Sequence, residues 1–287
     1  MLTMTVAEYS RRWLVVVETT RRPQTARNYR WALLAYLIPA FGEVELVDLT
    51  RGQVRECVLA AAKHLEPGTA RLILAALRAM LNDAVEDEVI TVNPAAGAVR
   101  RMHLAAGHPK VKAMSAEQLC RFLEAAREPY DMLWYVMSQS GVRIGEAIQL
   151  LVSDVDLEDA VLRVRAETSK GEVSRTVELG CATTARLRSH MDRNGIGLLL
   201  HGPRGGRVHV DRARQDFKRT LTRAGISGGL TPHSLRHTYA SLLVAAGAPL
   251  EWLRRQLGHG SIKITVDLYG RHAPMTGRGY LRVLPGG

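Results

Sequence analysis

A mainly α-helical chain with a small antiparallel β-sheet is the fold class this sequence predicts, and three observations carry it. Apolar residues recur at three- and four-residue spacings in both halves of the chain, the pattern of helices that bury one face. Two β-like runs, Ala160–Arg165 and Ser174–Leu179, flank Lys170-Gly171, which places a turn between paired strands. The length, 287 residues, makes two domains the natural expectation.

The N-terminal part reads as four or five helices. Thr5 is placed to cap the first, which carries Tyr9, Trp13, Leu14 and Val17. Pro23 precedes the second, near Gln24–Ile38, with Tyr29, Leu33, Tyr36 and Leu37 on one face. A third spans about Arg51–Lys63. The fourth opens after Pro67-Gly68 and spaces Leu72, Leu74, Leu77, Leu81 and Val85 at helical intervals. These stripes are core. Asn93-Pro94 then stops or redirects the chain, because the residue before a proline is steered out of the helical region. In the second half, helices are predicted at about 115–127, 130–140, 143–150, 182–192, 209–224, 233–246, 249–257 and 261–268.

Composition narrows the partner. The chain holds 39 Lys+Arg against 28 Asp+Glu, a formal charge of +11, which favours a polyanion. The charge is uneven. Residues 1–98 carry 11 basic and 11 acidic residues, residues 99–113 carry Arg100, Arg101, Lys110 and Lys112 with no acid, and residues 114–287 carry 24 basic and 17 acidic. Within the balanced part, Arg11, Arg12, Arg21, Arg22, Arg27 and Arg30 cluster against Glu18 alone. Ordinary solvated surface is the plain alternative for any one of these clusters. Cys57, Cys120 and Cys181 lie far apart without metal-ligand spacing and read as reduced, mostly buried thiols of a cytoplasmic protein. Glu8, Arg11 and Arg12 interrupt any signal sequence, and no apolar run approaches the roughly 20 residues needed to span a bilayer.

Six residues in the second half carry the chemistry. Arg143 sits in GVRIGEAIQL, Lys170 between the two β-like runs, His233 and Arg236 in TPHSLRHTYASLL, His259 in QLGHGSIKIT and Tyr269 in TVDLYG. Each has a bland reading. Arg143 can pair with Glu146, Pro232-His233 can simply open a helix, His259 can end one, and Tyr269 can be a half-buried core residue. His233 and His237, four apart, suggest a metal pair, but the segment lacks the Glu of a His-Glu-x-x-His site and offers no clear third ligand, so no metal is expected. Together the six supply cations, proton-transfer groups and a phenol, as in-line attack on a phosphodiester requires. Arg143 and Arg236 suit the charge that develops on the non-bridging oxygens. A phenol with an ordinary pKa of about 10 needs a base, for which His233 is a candidate. The leaving alkoxide needs an acid, for which Lys170 is a candidate.

These fragments resemble the tyrosine recombinases of the phage integrase family, over most of the length from Thr5 to Tyr269. The first Arg box reads Ser140-Gly141-Val142-Arg143-Ile144-Gly145-Glu146 with Leu150 completing it. The His-x-x-Arg box is His233-Ser234-Leu235-Arg236, followed by His237 and Thr238 as is usual in the family. Leu257-Gly258-His259 is the Leu-Gly-His box, Tyr269 follows His259 by ten positions, and Lys170 stands where the family carries its hairpin lysine. Glu146 matches an acidic position that supports the family's active-site arginines and histidine.

The resemblance implies a helical core-binding (SAM-like) domain over 1–98, a basic linker over 99–113, an α+β tyrosine-recombinase catalytic domain over 114–275 and a tail over 276–287. DNA contact would then fall to Arg21, Arg22, Arg27, Arg30 and Arg71, joined by Arg100, Arg101, Lys110 and Lys112. It further implies attack by Tyr269 to leave a 3′-phosphotyrosyl bond. Arg143, Arg236 and His259 would hold the phosphate, Lys170 would act as acid, and His233 would assist the tyrosine. Four protomers on two double-stranded DNA sites would exchange strands through a Holliday junction, with no cofactor and with accessory directionality or DNA-bending proteins as possible partners. The helical domain begins near residue 5, so the arm-binding domain of larger phage integrases is expected to be absent, and Gly279–Leu284 is the one tail segment suited to docking on a neighbour.

Three other readings compete. A type IB topoisomerase would use similar chemistry to relax DNA without joining two sites, but the recombinase boxes and the N-terminal helical pattern argue against it. A non-catalytic DNA-binding protein would need the basic surface and none of the six residues. A phosphatase-like hydrolase would need a metal set or a phosphate loop, and Gly202-Pro203-Arg204-Gly205-Gly206-Arg207 lacks the spacing of one.

Overall fold

A computed structural model of the chain describes residues 4–97, 111–168 and 173–270. Lys170, the linker residues Arg100, Arg101 and Lys110, and the 276–287 tail lie outside the described residues. The chain divides into two units, Met1–Gly107 and His108–Gly287, each with its own core.

In the N-terminal unit, α1 (Val6–Thr20) starts at a reciprocal cap: the Glu8 amide donates to Thr5 Oγ1 (3.2 Å) while the Thr5 amide donates to Glu8 Oε2 (2.9 Å). The single helix expected over Gln24–Ile38 is instead three segments, α2 (Pro23–Ala32), a π-helical turn (Leu33–Leu37) and α3 (Ile38–Phe41). Pro39 lacks the N–H that an α-helix would direct at Ala35, and the Ile38 amide reaches back to the Leu33 carbonyl, widening the turn. Thr50 and Gln53 cap α4 (Arg51–His64), and Pro67 opens α5 (Pro67–Glu86). Tyr9, Trp13, Val17, Leu33, Leu37, Val54, Ile73, Leu74, Leu77 and Leu81 form the core, at about 1.5–3 kcal/mol for each large apolar side chain removed from water. Two polar ties fix α1 against α5: Trp13 Nε1 donates to Asp83 (2.5 Å) and Tyr9 Oη to Asp87 (2.6 Å).

The second unit surrounds two central helices, α7 (Asp131–Ser140) and α11 (Pro232–Ala245), which pack on each other. Trp134 of α7 meets Phe122 of α6 (Ala116–Ala125) and Phe217 of α10 (Val210–Arg223) edge-on, and its Nε1 donates to Asp216 (2.9 Å). The sheet is antiparallel, ordered β1 (Val155–Asp156), β2 (Val161–Val164), β3 (Arg175–Glu178). The first strand has no counterpart among the predicted elements, because two residues are too few to show alternation. β2 and β3 pair from Val161↔Glu178 to Val164↔Arg175, so the segment holding Lys170 connects the ends of that ladder.

Two further expectations change. The helix predicted over 143–150 is only one turn, α8 (Ile144–Ala147), because the chain then tightens and pairs Leu151 with Leu198 in a bridge. The thiols are not mostly buried: Cys57 is half-buried and Cys120 and Cys181 are exposed. Cys120 lies on the outward face of α6, beside the inward Leu119 and Phe122, and Cys181 is the first residue of α9 (Cys181–Asn194). No helix among the described residues is long and apolar enough to cross a membrane. Tyr239, Val244, Leu253, Leu257 and Tyr269 form a separate apolar cluster joining α11, α12 (Leu250–Leu257) and α13 (Ile262–Tyr269).

Candidate active site

The site begins where α7 ends. Gly141 caps α7 in the left-handed conformation (φ 65°), and a Cβ there would stand 2.6 Å from Tyr239 Cδ1, so the turn needs glycine on both counts. Arg143 then becomes the N-cap of α8. Its amide donates to Glu146 Oε2 and its Nη1 to Glu146 Oε1, both at 2.8 Å. The ion pair foreseen as the bland role of Arg143 is therefore present.

Glu146 is 1% exposed and meets a second guanidinium. Arg175, the first residue of β3, donates from Nη2 to Oε2 (2.6 Å) and from Nη1 to Oε1 (3.1 Å). Burial pushes the Glu146 carboxyl up, but Arg175 and then Arg143 outweigh it and hold the group at about 2. A buried carboxylate thus fixes two arginines at once. Arg175 Nε also donates to the Gln256 carbonyl (3.0 Å), which ties the strand leaving the Lys170 segment to the end of α12.

Arg236 of α11 is 1% exposed. Its Nη1 donates to the Gly141 carbonyl (2.7 Å) and its Nη2 to the Leu257 carbonyl (2.5 Å), joining the ends of α7 and α12. Burial, with Arg143 and Arg175 nearby, pushes the guanidinium down to about 9, so it stays cationic at neutral pH. Two of its five N–H donors are committed to these carbonyls, which leaves the others for a ligand. Three guanidiniums face one carboxylate here, and the surplus is positive.

The remaining groups are imidazoles and the phenol. His259 follows Gly258, the left-handed cap of α12 (φ 64°), and is 8% exposed. Burial, then Arg236 and Arg143, pushes it down to about 3, so its ring is neutral, with Nδ1 2.9 Å from Oγ1 of the buried Thr265. His233 lies at the open start of α11 and is pushed down to about 4, first by desolvation and then by His237 and Arg236. One turn later, His237 stacks edge-on against it, 4.6 Å between centroids. His237 Nδ1 stands 2.7 Å from Tyr269 Oη, a hydrogen bond whose direction depends on the tautomer. Tyr269 ends α13 at 1% exposure. Burial raises its phenol to about 12, while Arg236 and Arg143 pull the other way.

The fold therefore gathers Arg143, Glu146, His233, Arg236, His259 and Tyr269, contributed by α7–α8 and α11–α13. Lys170 lies outside the described residues. Among the described residues, no group of three or more His, Cys, Asp or Glu is placed to hold a metal. Three participants were not assigned from the sequence: Arg175, Thr265 and the Tyr269-bonded role of His237. For Arg175 a signal existed. It shares the inward face of its strand with Val177 and Leu179, two and four residues on, where an arginine must find buried partners.

Of the basic residues proposed to meet DNA, Arg21, Arg22, Arg27, Arg30, Arg71 and Lys112 are exposed. Arg30 pairs with Glu18, with Nε 2.8 Å from the carboxylate, and Arg27 bonds Gln24 (3.0 Å). Both are surface contacts that cost little to open.

Residues 112–275 match the phage integrase family, and residues 5–58 match the phage integrase N-terminal SAM-like domain. The chain is 28% identical over 276 residues to an integrase of Mycobacterium phage L5, spanning 89% of this chain and 72% of the relative. It is 26% identical over 270 residues to tyrosine recombinase XerC of Proteus mirabilis, spanning 88% and 86%. The Tn1549 transposon integrase, solved in complex with a circular intermediate DNA, has a similar fold, with a TM-score of 0.78 at 18% identity over 99% of this chain and 100% of that one. A lambda integrase tetramer bound to a Holliday junction gives 0.75 at 19% identity, over 90% and 78%.

Proposed function

Because the chain belongs to the phage integrase family and is a site-specific recombinase of the tyrosine type, we propose that it cuts and rejoins duplex DNA through a 3′-phosphotyrosyl ester on Tyr269. The observation that carries this reading is the seating of the Tyr269 phenol 2.7 Å from His237 Nδ1, on the helix of its own chain that also carries Arg236. Tyr269 Oη attacks the scissile phosphate, and the 5′-oxygen leaves as a hydroxyl. Arg143, Arg236 and His259 hold the non-bridging oxygens, where preorganised charge acts most strongly on the transition state. Lys170 donates a proton to the departing 5′-oxygen, and an imidazole of α11 receives the phenolic one. Energy is conserved in the ester, so no nucleotide is consumed. Arginine charge performs the neutralisation for which other nucleases use metal ions.

A 5′-hydroxyl from a second duplex then attacks the ester and reseals the strand. Four protomers on two sites, exchanging strands in pairs through a Holliday junction, complete the reaction; the lambda integrase tetramer on such a junction supports that assembly. Arg21, Arg22, Arg27, Arg30 and Arg71, with Arg100, Arg101, Lys110 and Lys112, track the phosphate backbone.

The test is covalent trapping. The protein is incubated with supercoiled plasmid carrying the DNA that flanks its gene, quenched with denaturant and run on a denaturing gel beside Tyr269→Phe. An adduct formed by the wild type and missing from the variant is the expected result. DNA binding with no adduct on any substrate, nicked ones included, would sink the reading, and an adduct that survives the substitution would move the nucleophile elsewhere.

A further inference from the structure

We propose that His237 is a catalytic residue whose Nδ1 takes the phenolic proton of Tyr269 during cleavage and returns it when the strand is resealed. The proposal rests on the recombinase reading above and assigns a role that the sequence offered to His233.

Geometry carries it. A general base must lie within about 2.6–3.2 Å of the atom it deprotonates, and His237 Nδ1 is 2.7 Å from Tyr269 Oη. His233 sits one turn nearer the open start of α11, and its ring packs edge-on against His237, so it braces the base from the solvent side. The titratable and charged groups around His237 are His233 and Arg236 on its own helix and Tyr269 across from it on α13. Burial and then Arg236 lower its affinity for a proton, which keeps the resting imidazole neutral; in the tautomer protonated at Nε2, the Nδ1 lone pair accepts from the phenol. The tyrosine needs that help. With its pKa raised to about 12, roughly one molecule in 10⁵ would be phenolate at pH 7.

The step balances. The Tyr269 Oη–H bond breaks and its proton passes to His237 Nδ1, making the imidazolium, while Oη forms the new bond to phosphorus. The P–O5′ bond breaks, its electron pair leaves on O5′, and that oxygen takes a proton from the Lys170 ammonium. In resealing, the 5′-hydroxyl returns its proton to Lys170 as it attacks, and His237 returns its proton to the departing Tyr269.

The experiment is single-turnover cleavage of nicked duplex from the flanking DNA, with Tyr269→Phe as the blank. His237→Asn keeps an acceptor near the position of Nδ1 but takes up no proton, and His237→Ala removes both functions. Both variants are expected to cleave about 10²–10⁴ times more slowly, the usual worth of a general base, with DNA affinity unchanged. Their rates should climb roughly tenfold per pH unit between about pH 6 and 9, as an unassisted phenol requires, where the wild type levels off. Melting temperatures show that each variant is folded, and the Asn variant decides the matter if the Ala variant is not. Cleavage by His237→Asn within about threefold of wild type would overturn the proposal, since the histidine would then only position the phenol. A slow variant that keeps the wild-type pH profile would overturn it too. Absence of an adduct with the wild type itself would strike the recombinase reading first, and this one with it.

Discussion

Arg175 lies across Gly258 so closely that a Cβ on the glycine would stand 2.8 Å from Arg175 Cδ and 3.0 Å from Nη1. The arginine cannot swing aside freely, because Glu146 and the Gln256 carbonyl hold its other end. One side chain thereby sets the spacing between β3, α8 and the turn that presents His259.

Gly258→Ala should break that spacing. Its φ of 64° costs an L-residue about 1–2 kcal/mol, and the methyl must also displace Arg175. Misplacing a catalytic group by about 1 Å can cost 10²-fold in rate, so adduct formation should fall by about that factor with DNA affinity retained. Single-turnover trapping beside a filter-binding measurement checks both halves.

Glu146→Gln should destabilise the catalytic unit by about 3–5 kcal/mol, the range for breaking a buried ion pair from one side. The pH dependence has a definite sign. The folded carboxyl titrates at about 2, against 4.5 for an unperturbed one, so its contribution is complete above pH 4.5 and is lost as pH falls towards 2. The gap in unfolding free energy between wild type and variant should narrow across that window, which denaturant titrations at several pH values would show.

Arg236→Lys keeps the charge and should still fail. An ammonium cannot span the Gly141 and Leu257 carbonyls that the guanidinium bridges, and a buried carbonyl left without a partner costs about 1–3 kcal/mol. Losing one preorganised donor at the phosphate costs a further factor of about 10²–10³ in cleavage. Adduct yield and melting temperature should fall together; a variant that melts normally and cleaves normally would remove Arg236 from the site.

Thr265→Val tests how His259 is held. The valine fills the same buried space but removes the hydroxyl paired with Nδ1, at a cost of about 1–3 kcal/mol in stability. The imidazole's tautomer is then no longer fixed by that partner. A change in the His259 ring-nitrogen chemical shifts, with slower adduct formation, is the expected outcome.

Much of this was legible because the determinants are local. The Thr5 cap and the stripe from Leu74 to Leu81 announce α1 and α5 within a few residues of themselves, and the boxes around Arg143, His233 and His259 are contiguous. What escaped depends on partners distant in sequence or on elements too short to show a period. β1 is two residues long and α8 a single turn. Cys120 and Cys181 were read from the habits of the residue type, whereas helix phase decides exposure. Arg175 meets Glu146 across 29 positions and His237 meets Tyr269 across 32, distances over which no local pattern encodes a contact.

Tyr269 is seated against the helices of the chain that carries it, its hydroxyl on that chain's own histidine. If Tyr269 cuts from this seat, the nucleophile and Arg236 act within one chain, and neither is lent by a neighbour. Mixing Tyr269→Phe chains with Arg236→Lys chains should then restore nothing, because neither group would be supplied from across a boundary between subunits. A shared assembly would then coordinate which strands are cut and when, while the competence to cut is owned individually.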